Sequence, residues 1–163
     1  MRMPRAGWVG IVALALVVAS IGLVIAWFVM GRDIDRSNDL DTARVAALDA
    51  GQKVAVDINS YDYATIDRQF TVVEPELTGA VLENFRTTKD AVRSGFTKDK
   101  ISSSAQVLAS GSESSGTADG TVLIWLSVTR TTNGQRATQQ APLRIHLVKQ
   151  GSTWRADTIT TVG

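Results

Sequence analysis

Apolar residues are spaced in three different ways along this chain. From Trp8 to Met30 (WVGIVALALVVASIGLVIAWFVM) they form a run without an ionisable side chain; from Ser37 to about Gly95 they recur every three or four positions; beyond Lys100 they alternate with polar ones. The three spacings predict a membrane-spanning helix, then amphipathic helices, then strands.

At about 1.5 Å per residue, a helix over 8–30 crosses the roughly 30 Å hydrocarbon core and satisfies its own backbone hydrogen bonds. A cleavable signal peptide would have an apolar region of about 7–15 residues followed by small residues. This run is longer and closes on Trp27-Phe28-Val29-Met30, so we read it as a retained anchor with Trp8 and Trp27 near opposite interfaces. Arg2 and Arg5 precede it with no acidic residue among them, whereas Arg32 and Arg36 are interleaved with Asp33 and Asp35. That asymmetry predicts a cytoplasmic tail over 1–7, the transmembrane helix over 8–30, a juxtamembrane linker over 31–36 and an extracytoplasmic domain over 37–163, held at the inner membrane. Within the span, Ala15, Ala19, Gly22 and Ala26 line one stripe, which suits close packing against a partner's transmembrane helix. Small residues are also common in membrane spans, and both readings stay open.

In the soluble part, Leu40, Ala43, Ala47, Ala50, Val54, Ile58 and Tyr61 predict an amphipathic helix over Ser37 to Tyr61. The stretch Asn59 to Phe70 reads as a turn leading into a short helix, because Asn, Ser and Asp compete for backbone hydrogen bonds. Pro75, flanked by Glu74 and Glu76, suits the start of a second long helix ending near Ser94-Gly95, with Leu77, Val81, Leu82, Phe85, Val92 and Phe96 on its buried face.

Four strands are expected after that. Ile101, Ser103, Ala105, Val107 and Ala109 mark the first; Val122, Ile124, Leu126 and Val128 the second; Leu143, Ile145 and Leu147 the third; Trp154, Ala156 and Thr158 the fourth. Asn133-Gly134 and Gln150-Gly151-Ser152 predict tight hairpins, while Ser110 to Gly120 reads as a longer, polar, mobile connection. Pro142 demands a bulge, an edge position or a strand start. The fold class is α+β: a helical segment packed on a curved antiparallel four-stranded sheet.

Composition narrows what such a domain does. Arg2 and Arg5 take two of the 17 basic residues, leaving 15 against 16 acidic ones, so the domain is near neutral and nucleic acid is not an expected partner. The absence of cysteine excludes disulfides and thiolate chemistry. No phosphate-binding glycine loop and no metal-ligand spacing occurs, so no cofactor is expected.

The succession of a single-pass anchor, an alanine-rich helix, a Tyr61-Asp62-Tyr63 break, a helix opening around Leu77-Thr78-Gly79 and a sheet closing on Trp154-Arg155-Ala156 resembles the Mce-associated membrane proteins of actinobacteria. Ala156 stands where that family more often has valine. The resemblance implies a cone fold similar to nuclear transport factor 2 and the cystatins. It also implies a non-enzymatic accessory subunit that assembles or stabilises an Mce-type lipid or sterol import complex, with permease and Mce subunits as partners.

Two other uses of the same cone are a lipid- or sterol-binding module and a scaffold subunit of a secretion or conjugation machine. The cone also hosts enzymes, for which His146, Asp62, Asp67, Tyr61 and Tyr63 would be the candidates. His146, however, falls opposite in parity to Leu143, Ile145 and Leu147, and the two aspartates suit a turn and a cap, so no catalytic residue is expected. A sheet-face interface fits better. Trp125, Val148 and Ile159 are apolar at positions where a half-buried sheet should be polar.

Overall fold

The computed structural model describes residues 37–162; the tail, span and linker expected over 1–36 lie outside the described residues. The first helix, α1, covers 37–57 and buries Ala43, Ala47, Gly51, Val54 and Ala55, the face its apolar spacing predicts. Small residues on that face let the helix backbone come close to the sheet. A Cβ placed on Gly51 would lie 2.5 Å from Val122 Cγ2, with Leu147 and Ile124 just behind. Asn59 ends the helix, its side-chain amide donating to the Ala55 carbonyl at 2.8 Å. The expected continuation to Tyr61 is therefore cut short, and Tyr61–Asp62 instead form a two-residue strand, β1.

Helix α2 (Ile66–Val73) buries Ile66, Phe70 and Val73. Pro75 does not open the long helix as its sequence suggested: it sits in a 3-10 turn, Glu74–Glu76, that closes α2. The chain is extended at Leu77 and Thr78, where Leu77 bridges to Ala156 and the Thr78 N–H donates to the Ala156 carbonyl at 2.8 Å. Helix α3 (Gly79–Lys98) begins only after this strut, at a glycine with φ of 56° whose missing Cβ leaves room for the Asp157 carboxylate. It also runs past Ser94-Gly95, because Phe96 still packs edge-on against Tyr61 with ring centres 5.5 Å apart.

The sheet comprises β1, β2 (Ile101–Ser115), β3 (Asp119–Thr132), β4 (Gln135–Gln150) and β5 (Thr153–Thr161), in that order and antiparallel throughout. It thus has one strand more than expected. The segment read as a mobile connection is mostly strand: Ser110 pairs with Ile124, Gly111 with Leu123, Ser112 with Val122, Ser114 with Thr121 and Ser115 with Gly120. Small, polar residues hide the period, and two bulges, at Leu108 and Glu113, break it.

Asn133 and Gly134 both have positive φ, 50° and 82°, as a two-residue hairpin turn requires. Pro142 lies in mid-strand, yet its carbonyl accepts the Val162 N–H at 3.0 Å, so its donor-less nitrogen faces the end of β5 and costs no β3 ladder bond. Val122, Ile124, Leu126, Ile145, Leu147 and Ala156, each at most 2 % exposed, make the floor on which α1 and Leu77 rest.

Candidate functional site

The outer face of the sheet is not uniformly polar. Trp125 and Leu123 of β3 are 45 % and 41 % exposed, although their neighbours Ile124 and Leu126 are buried on the inner face. The bulge at Leu108 brings Ala109 opposite Trp125, and on the other side Trp125 faces Pro142. With Gly111 opposite Leu123 and Val162 at the end of β5, these residues line an apolar groove of about 300 Å³. The indole is oriented by its own N–H, which donates to Gln140 Oε1 at 2.9 Å. An amphipathic ring held at one edge and open on its face suits protein recognition. Trp125 was legible as an out-of-pattern apolar residue, whereas Pro142 and Val162 join the groove only through strand register.

The other two residues expected on this face do not join it. Val148 is on the outer side, paired with Asp119 and Arg155, but six residues along β4 from Pro142, or about 20 Å away. Ile159 is a correction: it pairs with Ile145 and packs against the core. The bulge at Asp157, between the Leu147–Ala156 and His146–Thr158 pairs, inverts the parity of β5, turning Thr158 outward and Ile159 inward. The stripe Ala15, Ala19, Gly22 and Ala26 lies outside the described residues.

The five residues a cone-fold enzyme would use are dispersed. His146 is on the outer face, 3.6 Å from Asp157 and 3.9 Å from Asp119. Asp62 caps a turn by accepting the Ala64 N–H at 2.8 Å, and Asp67 is engaged by Arg93 at 2.6 Å. Tyr63 is exposed. Tyr61 packs against Phe70 and Phe96, and burial pushes its hydroxyl pKa up to about 12, which keeps it a neutral packing residue rather than a base. Among the described residues no group of three or more His, Asp or Glu side chains could hold a metal ion.

Between α2, α3 and β5 lies an opening of about 570 Å³, walled by Phe70, Leu77 and Leu82. Most of its charges are paired, Arg155 being the exception with a buried Nε that has no partner among the described residues: Glu74 accepts from Arg86 at 2.6 Å with Lys89 at 3.5 Å, and the Arg86 hydrogen bond leads in holding its carboxyl below the usual range. Arg93 lies 5.8 Å from the Phe70 ring centre and donates to Asp67 and Asp90. The Arg93–Asp67 pair and the pairs at Glu74, which closes α2, fasten α3 to α2, while Arg93–Asp90 lies within α3.

No family model matches the sequence, and no curated protein matches it. Solved structures do match in fold. An IcmL-like type IV secretion system protein from Legionella pneumophila superposes with a TM-score of 0.61 at 7 % identity, covering 73 % of this chain and 91 % of that one. The periplasmic domain of DotI gives 0.60 at 11 %, covering 72 % and 94 %. CagV, a VirB8 homolog of the type IV secretion system of Helicobacter pylori, gives 0.54 at 8 %, covering 72 % and 97 %. The domain therefore has the α+β, NTF2-like and VirB8-like fold, with helices on a curled five-stranded antiparallel sheet. No Mce-specific feature emerges from these comparisons.

Proposed function

We propose that this chain is a non-enzymatic, single-pass scaffold subunit of a multiprotein secretion or conjugation machine, anchored by 8–30 and holding its 37–163 domain outside the cytoplasmic membrane. The observation that carries this reading is the near-complete coverage of type IV secretion domains, 91 % of the IcmL-like protein and 97 % of CagV, by a domain whose sheet offers an apolar groove around Trp125. The scattered placement of His146, Asp62, Asp67, Tyr61 and Tyr63 favours assembly over catalysis. The accessory role in an Mce lipid-import complex, with permease and Mce subunits as partners, is supported by the residue resemblance alone. A lipid- or sterol-binding role is less favoured, since Val54, Leu126 and Ile145 belong to the packed core beneath α1 and the opening between α2, α3 and β5 is ringed by the charged side chains of Asp67, Glu74, Arg86, Lys89, Arg93 and Arg155.

Isolation of the full chain from membranes in mild detergent, with identification of the chains that accompany it, separates these readings. Secretion-type subunits support the scaffold, a permease with Mce subunits supports the import complex, and a solitary protein carrying stoichiometric lipid overturns both. Replacing Ala19 and Gly22 with leucine tests the anchor stripe: partner recovery should fall while membrane insertion persists.

A further inference from the structure

A sheet leaves unpaired backbone groups at its edges, and most of this sheet's edges are guarded. The start of β2 is covered by β1 and by Ser60, whose hydroxyl accepts the Ala105 N–H at 3.1 Å. Farther along, β2 carries bulges at Leu108 and Glu113. The free side of β5 is bridged by Leu77 and Thr78.

Among the described residues, one edge is left open. The β4–β5 ladder ends at Leu143–Thr161, with one further bond from the Val162 N–H to the Pro142 carbonyl, whereas β4 continues back to Gln135. Because the Pro142 carbonyl faces β5, the alternate residues Gln140, Thr138 and Arg136 present both their N–H and C=O groups to the same side, which no described residue occupies. The stretch 135–140 is exposed throughout. It contains no lysine, acidic residue, proline or bulge, and its one charge is Arg136.

We propose that this edge pairs with the same edge of a second copy of the chain, antiparallel about a two-fold axis at Thr138, so that two sheets join into one. In that register Thr138 meets Thr138, and Arg136 of each copy meets Gln140 of the other. Each of these three residue pairs exchanges two backbone hydrogen bonds. Centring on Arg136 would set like charges face to face, and centring on Gln140 would drive the partner strand into β5, so the charge pattern and the end of β5 select one register.

The natural chain has no cysteine, so single-cysteine variants of the full chain report this axis cleanly in native membranes. Across an antiparallel pair Cα atoms lie about 4.5–5.5 Å apart, within disulfide reach; two positions off the axis, a residue and its own copy are more than about 10 Å apart. Under mild oxidation Thr138→Cys should give at least five times the disulfide dimer of Thr117→Cys, at the far hairpin. Arg136→Cys alone should stay at the Thr117→Cys level, whereas Arg136→Cys and Gln140→Cys chains expressed together should cross-link to each other. Equal dimer at positions 117 and 138, or dimer from Arg136→Cys alone matching that from Thr138→Cys, would overturn the proposal. The readout is self-association, so it succeeds or fails independently of which other subunits accompany the chain.

Discussion

Helices α1 and α3 lie in the same domain and are attached to it by different physics. Helix α1 buries five residues, all small or medium-sized, and meets the sheet backbone-close at Gly51. Helix α3 has no fully buried residue: it leans on half-buried Val81, Leu82 and Phe85 and is fastened by aromatic edges and surface ion pairs. Close packing tolerates almost no change in volume, whereas exposed ion pairs contribute about 0–1 kcal/mol each and leave the helix adjustable. The rigid part of the domain is therefore α1 on the inner sheet face, and α3 is its more yielding flank.

The largest test of that contrast is Gly51→Leu. The site has no room for even a Cβ without displacing Val122, so thermal unfolding of the variant should show a loss of about 3 kcal/mol, the upper end of ordinary overpacking costs. Retention of wild-type stability would mean α1 does not sit where it is described.

The α2–α3 aromatic cluster should instead show itself through alkaline pH. The Tyr61 pKa is raised from 10 to about 12, so its packing contribution is complete below pH 10 and is lost as pH rises toward 12. Wild-type stability should fall by about 2–3 kcal/mol across that window, to order of magnitude, and Tyr61→Phe should remove most of the slope. An identical slope in the variant would place the alkaline transition elsewhere.

The smallest effect has the opposite sign. A Cβ on Gly95 of α3 would meet nothing within 4 Å, so Gly95→Ala should stabilise by about 0.5–1 kcal/mol through helix propensity alone. Two glycines in two helices thus give opposite outcomes, and destabilisation at Gly95 would show that α3 is packed more tightly than its exposure implies.

What was legible beforehand follows the same division. Periodicity found α1 and its buried face because alanines recur there at helical spacing, and it found β3 because Val122, Ile124, Leu126 and Val128 alternate without interruption. It failed where a single residue breaks the count. The Asp157 bulge turned Ile159 inward, and serines with two bulges disguised the second half of β2 as a loop. Pro75 looked like a helix start because nothing local signals that Leu77 and Thr78 must reach Ala156, far along the chain. At the candidate surface, Trp125 stood out by itself, but its companions Pro142 and Val162 come from other strands and no spacing rule links them.

On the proposed function, the outer sheet face around Trp125 holds a partner protein. The most direct test of that claim is Trp125→Ser in the full chain, with the amounts of co-isolating subunits and the thermal unfolding of the domain measured together. The indole is 45 % exposed on the face away from the core, so unfolding should shift by no more than about 1 kcal/mol while partner recovery drops at least tenfold. Undiminished recovery from a folded variant would contradict the claim, as would collapse of the fold, which would make Trp125 a core residue.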